Sequence, residues 1–438
     1  MRRVILSQGE TFSNDHLQRT SAFNAGALEA ATNIVSRVRE EGDAALRDLT
    51  AKFDGVEIED FRVSQEAIDA AIAQIDPHLQ KSLAQAARQI RAFHERQKQQ
   101  SWFSVRADGA LVGSKVEPIE SVGIYAPGGR ALYPSTVLMN AIPAHVAGVS
   151  RIALCTPPTK DGSLDPAVLE AARLAGITEI YTVGGAQAIA ALAYGTESIA
   201  PVSKITGPGN AFVAAAKKIV SGDVGIDMIA GPSEVCVVAD ETADPKMVAI
   251  DLMAQAEHDP LASCYLVTFS TAYADEVEAN IADHMKRSKR AEITAASLEH
   301  GLIVVVPDMA TAMEAVNVIA PEHLELHIAD PMAQLGAVRN AGAIFLGEWT
   351  PEAVGDYVAG PNHTLPTGGT ARFSSPLSVD DFIKKSSVIQ YTPAALARDG
   401  EAIVAIADRE GLWSHAESVR LRLAELPDNV KIQEPEDE

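Results

Sequence analysis

From Ser121 onward the chain alternates short apolar runs with stretches of helical period, and this rhythm constrains the fold more than any other feature. The runs SVGIYAP, RIALCT, EIYTVG and SEVCVVAD are separated by STVLMNAIPAHVAG, DPAVLEAARLAG, AQAIAALAYG and NAFVAAAKKIVSG. Parallel neighbours cannot be joined by a tight turn, so strands and helices in turn predict parallel sheet with crossover helices. A second series follows: CYLVTFS, GLIVVVPD, HLELHI and AIFLG, with ADEVEANIADHMKRS, MATAMEAVNVIAP and DPMAQLGAVRNAG between them. Two arrays of similar size predict two α/β domains with a cleft between them.

The flanks differ. ALEAATNIVSRVREEGDAALRDLTAKFD and HLQKSLAQAARQIRAFHERQKQQ carry apolar residues at helical period and read as packing helices. After about Pro351 the rhythm breaks into EAVGDYVAGPNHTLPTGGTARFSSP, an irregular stretch of a kind that usually carries function. The last region, ALARDGEAIVAIADREGLWSHAESVRLRLAEL, is helical again and reads as an arm.

Composition narrows the function. The 438 residues are 47% hydrophobic and 22% charged, as expected of a soluble globular protein. No apolar run approaches the roughly 18 residues of a membrane span, and Met1-Arg-Arg is not followed by a secretory apolar core. A cytoplasmic protein with no membrane role is expected. The formal charge of −23 argues against nucleic acid as a partner, since binding phosphates takes a basic surface. It serves solubility, and the EPEDE tail fits that role. Cys155, Cys236 and Cys264 are too few and too scattered for a disulfide frame or a cysteine zinc site; Cys155 and Cys236, in apolar runs, read as packing.

One helix offers candidate metal ligands. In ADPKMVAIDLMAQAEHDP, Asp244-Pro245 is a capping residue followed by proline at the first helical position, and Asp259-Pro260 ends the segment. Gln255 and His258, three apart, share a face of that helix and can point into one cleft. Glu322-His323, Asp356, His363, Glu410 and His415 offer partners downstream. On spacing alone, Gln255 and His258 also fit a polar helix end, Glu322-His323 a polar turn, His363 a loop residue and Glu410 a solvated helix charge.

Nucleotide chemistry is suggested differently. GxGxxG is absent after the first strand, but GIYAPGGRALYPST, VGGAQAIAALAYG and ITGPGNAFVAAAKK each place glycines where a strand turns into a helix. Such turns let backbone N–H groups approach phosphate at a helix N-terminus. A nucleotide site built from Tyr125, Gln187 and Asn210 is the expectation. His16, His78, His94, His284 and His300 lack partner motifs and read as surface residues. His145 reads as packing, and His327 shares a strand face with Glu325 without evident purpose.

GIYAPGGRALYPSTVLMNAIPAHVAGV, VGGAQAIAALAYGT, GPGNAFV, AGPSEV, DLMAQAEHDP, IAPEHLEL, NAGAIFLGEWTPEAVGDYVAGPNHTLPT and EGLWSHAESVRLR, in that order from Ser121 to Arg422, resemble the motif series of the histidinol dehydrogenases. The resemblance implies an α/β fold of two Rossmann-like domains, incomplete for want of GxGxxG, with helical N- and C-terminal arms. It implies residues 1–25 as an N-terminal arm, 26–128 with 234–380 as the larger domain, 129–233 as the NAD-binding domain, and 381–438 as an arm reaching the partner subunit. The implied activity is zinc-dependent, NAD-linked oxidation of L-histidinol through L-histidinal to L-histidine, in a homodimer with shared active sites. By matching motif, Gln255, His258, Asp356 and His415 would hold one Zn2+ per subunit and Glu322 and His323 would move protons. Ser233, His363 and Glu410 would contact substrate together with His323 and the zinc donors, and Tyr125, Gln187 and Asn210 would contact NAD.

Two rivals stand beside this expectation. One is a paralogue on the same scaffold that oxidises another small polar alcohol such as a sulfonated diol, although Glu410 suits an anionic substrate poorly. The other is a ligand-binding protein of two α/β lobes, which would ordinarily carry an export signal.

Overall fold

The structure is a computed structural model that describes residues 1–17, 19, 25–128, 133–229, 231–427 and 430. Contacts divide the chain into two compact units, Met1–Lys98 with Ile119–Phe382, and Gln99–Pro118 with Ile383–Glu438. In chain order the first strands are β1 (Arg2–Ile5), β2 (Trp102–Val105) and β3 (Leu111–Pro118). Next come β4 (Ser121–Tyr125), β5 (Arg151–Thr156), β6 (Glu179–Thr182), β7 (Lys204–Thr206) and β8 (Gly225–Ile226). The remainder are β9 (Glu234–Ala239), β10 (Ser263–Thr268), β11 (Leu302–Val305), β12 (His323–His327), β13 (Ala343–Leu346) and β14 (Ile383–Gln390).

The first unit holds two sheets in which every pairing is parallel. One runs β6-β5-β4-β7-β8, the other β1-β11-β10-β9-β12-β13. Apart from β1, each has the same winding: three strands laid outward in one direction, then a return to the far side of the first. That is a doubly wound order, and it agrees with the two incomplete Rossmann-like arrays expected. The run SEVCVVAD, read above as the end of the first array, is instead β9 at the centre of the second sheet. Spacing along a chain does not say which sheet a strand joins.

Helices cover these sheets because the strands are apolar on both faces. On the second sheet, Val235, Val237 and Ala239 face a core with Val248, Ala249 and Leu252 of the helix Pro245–Ala256. Cys236 and Val238 face the opposite core, with Leu324, Leu326 and the helix Met309–Ile319. On the first sheet, Ala31, Val35, Val38, Leu46 and Leu49 from the N-terminal helices join the core of Ile189, Leu192 and Val213. Those helices therefore pack on the five-stranded sheet, not on the sheet of residues 234–380 with which the sequence grouped them. Asp244 caps the helix Pro245–Ala256 by accepting from the Lys246 N–H at 2.9 Å, with proline at its start.

The N-terminal segment is not only an arm, since β1 pairs with β11 as an edge strand. The second unit also differs from a purely helical arm. It has an antiparallel sheet in the order β14-β3-β2 and the helices Pro393–Arg409 and Trp413–Ala424. The EPEDE tail and the middle of the GIYAPGGRALYPST loop lie outside the described residues.

Candidate active site

The site grows from β12. Side chains alternate along a strand, and Leu324 and Leu326 enter the apolar core on one face. His323, Glu325 and His327 therefore form a polar stripe on the other, all buried. His323 Nδ1 donates to the Glu234 carbonyl at 3.2 Å, which leaves Nε2 directed to Asp356 Oδ1 at 3.6 Å. Burial alone would favour a neutral ring, but Glu352, Glu322 and Asp356 outweigh it and hold the His323 pKa well above the usual imidazole range. Glu322 precedes the strand, and its Oε2 accepts the Glu234 N–H at 2.9 Å. Burial pushes its carboxyl up to about 7, against the opposing pull of His323.

Asp356 arrives on a short helix, Glu352–Tyr357, within the irregular stretch. There its carboxylate meets the end of the helix Pro245–Ala256. Ligand atoms of His258, Glu352 and Asp356 all lie within 4.8 Å of one another. Buried Gln255 adds a fourth group, and its amide exposes a conflict. With the side-chain oxygen toward the Glu352 carboxylate, two acceptors face each other; with the amide turned, its nitrogen donates to Glu352 and its oxygen accepts the Glu234 N–H at 3.0 Å. A cation taken up by the Gln255 oxygen would remove the same conflict with that oxygen still inward. One imidazole, two carboxylates and an amide oxygen form a hard N/O donor set of the kind that takes zinc or another divalent ion, so the residues fit a metal.

Burial lowers the pKa of His258 despite Asp356 nearby, which favours the neutral imidazole that a ligand must be. His363 is held similarly. Its Nδ1 donates to the Asp356 carbonyl at 3.0 Å, its Nε2 lies 3.4 Å from Thr136 Oγ1, and burial lowers its pKa. Asn362 donates to the Met139 carbonyl at 2.6 Å, so this loop is fastened to the helix that follows β4. Beside these groups is a cavity of about 500 Å³ lined by the polar His323, Asp356 and His363 and by the apolar Phe93, Phe345 and Leu365.

The structure thus brings Gln255, His258, Glu322, His323, Asp356 and His363 into one neighbourhood of the first unit. Ser233 stands immediately before β9, at the amino edge of the same sheet. Glu410, which ends the helix Pro393–Arg409, and His415, in the helix Trp413–Ala424, belong to the second unit.

Tyr125, Gln187 and Asn210 sit at the carboxyl edge of the five-stranded sheet. The return between β4 and β7 makes a topological switch point there, the place where doubly wound sheets take ligands. Tyr125 Oη accepts the Gly185 N–H at 3.1 Å, and Asn210 caps the helix Ala211–Val220 through the N–H groups of Phe212 and Val213. Gln187 is buried in the helix Gly185–Tyr194. Gly207 has φ of +120°, and a Cβ there would lie 2.0 Å from the Tyr125 carbonyl oxygen, so only glycine lets the two loops meet.

Sequence reasoning missed Glu352, Glu234 and Glu325. Glu352 and Asp356 are four apart, a spacing that puts both carboxylates on one helix face and was legible in principle. Glu234 acts through its backbone, which no residue type announces. Cys236 and Cys264 are fully buried, and burial raises both thiol pKa values, that of Cys264 to about 12. Neither is a ready thiolate.

A model of the histidinol dehydrogenase family matches residues 17–423. The histidinol dehydrogenase of Bacillus subtilis (strain 168) is 53% identical over 412 residues, covering 93% of this chain and 96% of its own. That of Chlorobaculum tepidum is 50% identical over 422 residues, covering 96% of this chain and 98% of its own. The crystal structure of histidinol dehydrogenase from Elizabethkingia anophelis matches with a TM-score of 0.93 at 38% identity, covering 97% of this chain and 98% of that one.

Proposed function

The chain belongs to the histidinol dehydrogenase family, and from that premise we propose that it oxidises L-histidinol through L-histidinal to L-histidine, using zinc and two NAD+. The observation that carries the reading is the convergence of Gln255, His258, Glu352 and Asp356 beside His323. Gln255, His258 and Asp356 would hold the metal together with His415 of the partner subunit. When bound, zinc supplies a fixed charge that orients an amino alcohol, and NAD supplies the two-electron acceptor. The dinucleotide would occupy the switch point beside Tyr125, Gln187 and Asn210. Production of two NADH for each histidinol consumed tests the whole assignment; a ratio of one, with the aldehyde accumulating, refutes the four-electron reaction.

With a bound cation offsetting the charge of Glu352 and Asp356, which otherwise favours the imidazolium, His323 would be placed to take the alcohol proton at Nε2, because Nδ1 is already committed to the Glu234 carbonyl. Glu322, with its pKa about 7, is poised to take a proton from the water that adds to the aldehyde. Replacing Glu322 by Gln is therefore expected to slow oxidation of histidinal far more than that of histidinol. Equal slowing of the two steps, assayed separately, would refute the water role. The cysteines contribute no acyl intermediate: burial keeps their thiols protonated.

The protein acts as a homodimer in this reading, with Glu410 and His415 completing the partner's site and His363 and Ser233 contacting substrate. The second unit leaves Trp102, Phe103, Ile389, Ile406, Trp413 and Leu421 exposed, a large apolar surface for a lone chain. Mixing inactive Gln255→Ala and His415→Ala subunits should restore part of the activity, since one site in a mixed dimer would be intact. Absence of rescue, with exchange verified by mass spectrometry, would place each site within one chain. The absence among the described residues of any helix long and apolar enough to cross a membrane accords with the cytoplasmic location we infer.

A further inference from the structure

Three buried side chains unused by this reading lie between the two elements that carry the metal donors. Glu325 and His327 follow His323 at alternate positions of β12, and Asp251 faces them from the helix Pro245–Ala256. His327 Nε2 is 3.3 Å from Glu325 Oε2 and 3.7 Å from Asp251 Oδ2. The other Glu325 oxygen, Oε1, accepts the backbone N–H of Glu352 at 2.7 Å. That N–H opens the helix Glu352–Tyr357, whose N-cap position is Pro351 and has no side-chain cap. The first N–H groups of a helix lack partners within it, and a carboxylate there also meets the positive end of the helix dipole. Glu325 thus supplies from a neighbouring strand the acceptor that a local Ser or Asp would provide. Asp251 lies one turn before Gln255, on the same face of its helix.

We propose that Glu325, braced by His327 and Asp251, is a positioning residue that fixes the helix Glu352–Tyr357 against the helix Pro245–Ala256 and so sets the spacing of the metal donors. The inference rests on Gln255, His258 and Asp356 being those donors. Each helix brings part of the set, so a shift between them opens it. Loss of a supporting partner outside the ligand set typically lowers metal affinity by about 10–100-fold. The ligand atoms of Asp251, Glu325 and His327 also lie within 4.8 Å of one another, so the same cluster offers a competing role as a cation site. The commitment of Glu325 Oε1 to a backbone N–H favours positioning, and counting metal decides between them.

The test uses the full chain, zinc with a competing chromophoric chelator, and hydrogen exchange of residues 352–357 without metal. Glu325→Leu is expected to bind zinc about 10–100-fold more weakly, to exchange faster over 352–357, and to regain turnover as zinc is raised. Glu325→Gln keeps an acceptor of the same shape and should remain close to the parent. Should Glu325→Leu fail to fold, His327→Gln is expected to shift zinc affinity and exchange in the same direction. Unchanged affinity and exchange in the folded variants overturn the proposal. So does a second zinc per chain that His327→Ala removes. If the parent binds no zinc while Glu325→Leu still loosens 352–357, the helix anchor stands and the assignment of the donors is what fails.

Discussion

Replacing Asp356 by Ala is expected to cost more than about 100-fold in zinc affinity, beyond what losing a supporting partner outside the ligand set costs, and to remove turnover with it. The Asp356 carboxylate faces His323 Nε2 at 3.6 Å and shares its neighbourhood with His258 and Glu352. On the proposed reading its removal therefore takes away a metal donor and the group that orients the proton-transferring ring. The fold should survive. His363 bonds to the Asp356 backbone carbonyl, which Ala retains, and Ala is a good helix former. In the metal-free chain its loss relieves repulsion with Glu322 and Glu352 but also removes the attraction to His323, and the two effects oppose one another. Zinc content after dialysis, the chelator-competed affinity and kcat should fall together, while the melting temperature of the metal-free protein changes little. An Asp356→Ala protein that keeps zinc and turns over at the parent rate would remove the metal reading of this site.

The second large effect is on stability. Lys217, in the helix Ala211–Val220, forms an ion pair with Asp227, and both side chains are almost wholly buried. Lys217 Nζ also donates to the Gly207 carbonyl at 2.9 Å, and Asp227 Oδ2 accepts the Gly207 N–H at 2.8 Å. The pair thereby clamps both backbone groups of the glycine on which the β4 and β7 loops close. Lys217→Met keeps an unbranched apolar stem, one atom shorter, but leaves a buried carboxylate without its counter-charge, which typically costs about 3–5 kcal/mol. Urea unfolding should show a loss of that order, and on the proposed reading NAD binding at the loop should weaken with it. Removing both charges, as Lys217→Met with Asp227→Leu, should cost less than the two single changes added, because no charge is then stranded. A loss in Lys217→Met no larger than that of an exposed pair, about 0–1 kcal/mol, would show that water reaches this pair.

Much of the fold was legible because its strands are continuous apolar runs. The series from SVGIYAP to EIYTVG and from CYLVTFS to AIFLG all form strands, and Asp244-Pro245 marks a helix start as expected. Other strands carried no such signal. β7 and β8 are three and two residues long, and β2 is exposed along its whole length. In β12 the pattern HLELH was readable as a strand, but its polar face reads as solvent-facing by ordinary alternation. It is buried instead, under the elements that bring Asp251, Glu352 and Asp356 to it.

The candidate site divides in the same way. Gln255 with His258, and Glu322 with His323, stand close in the chain, so local geometry alone allows each pair to act together. Their meeting with Asp356, Glu352 and His363 depends on how a short helix and an irregular loop lie across the amino edge of the second sheet. Local spacing determined the elements, the apolar faces and the identity of the polar groups, since strand and helix periods are properties of neighbouring residues. Only the tertiary structure decided which strand joins which sheet, which carboxylates are deprived of water, and that Glu325 caps a helix from across the core. Those outcomes depend on contacts between residues far apart in sequence, and on burial that no single segment possesses by itself.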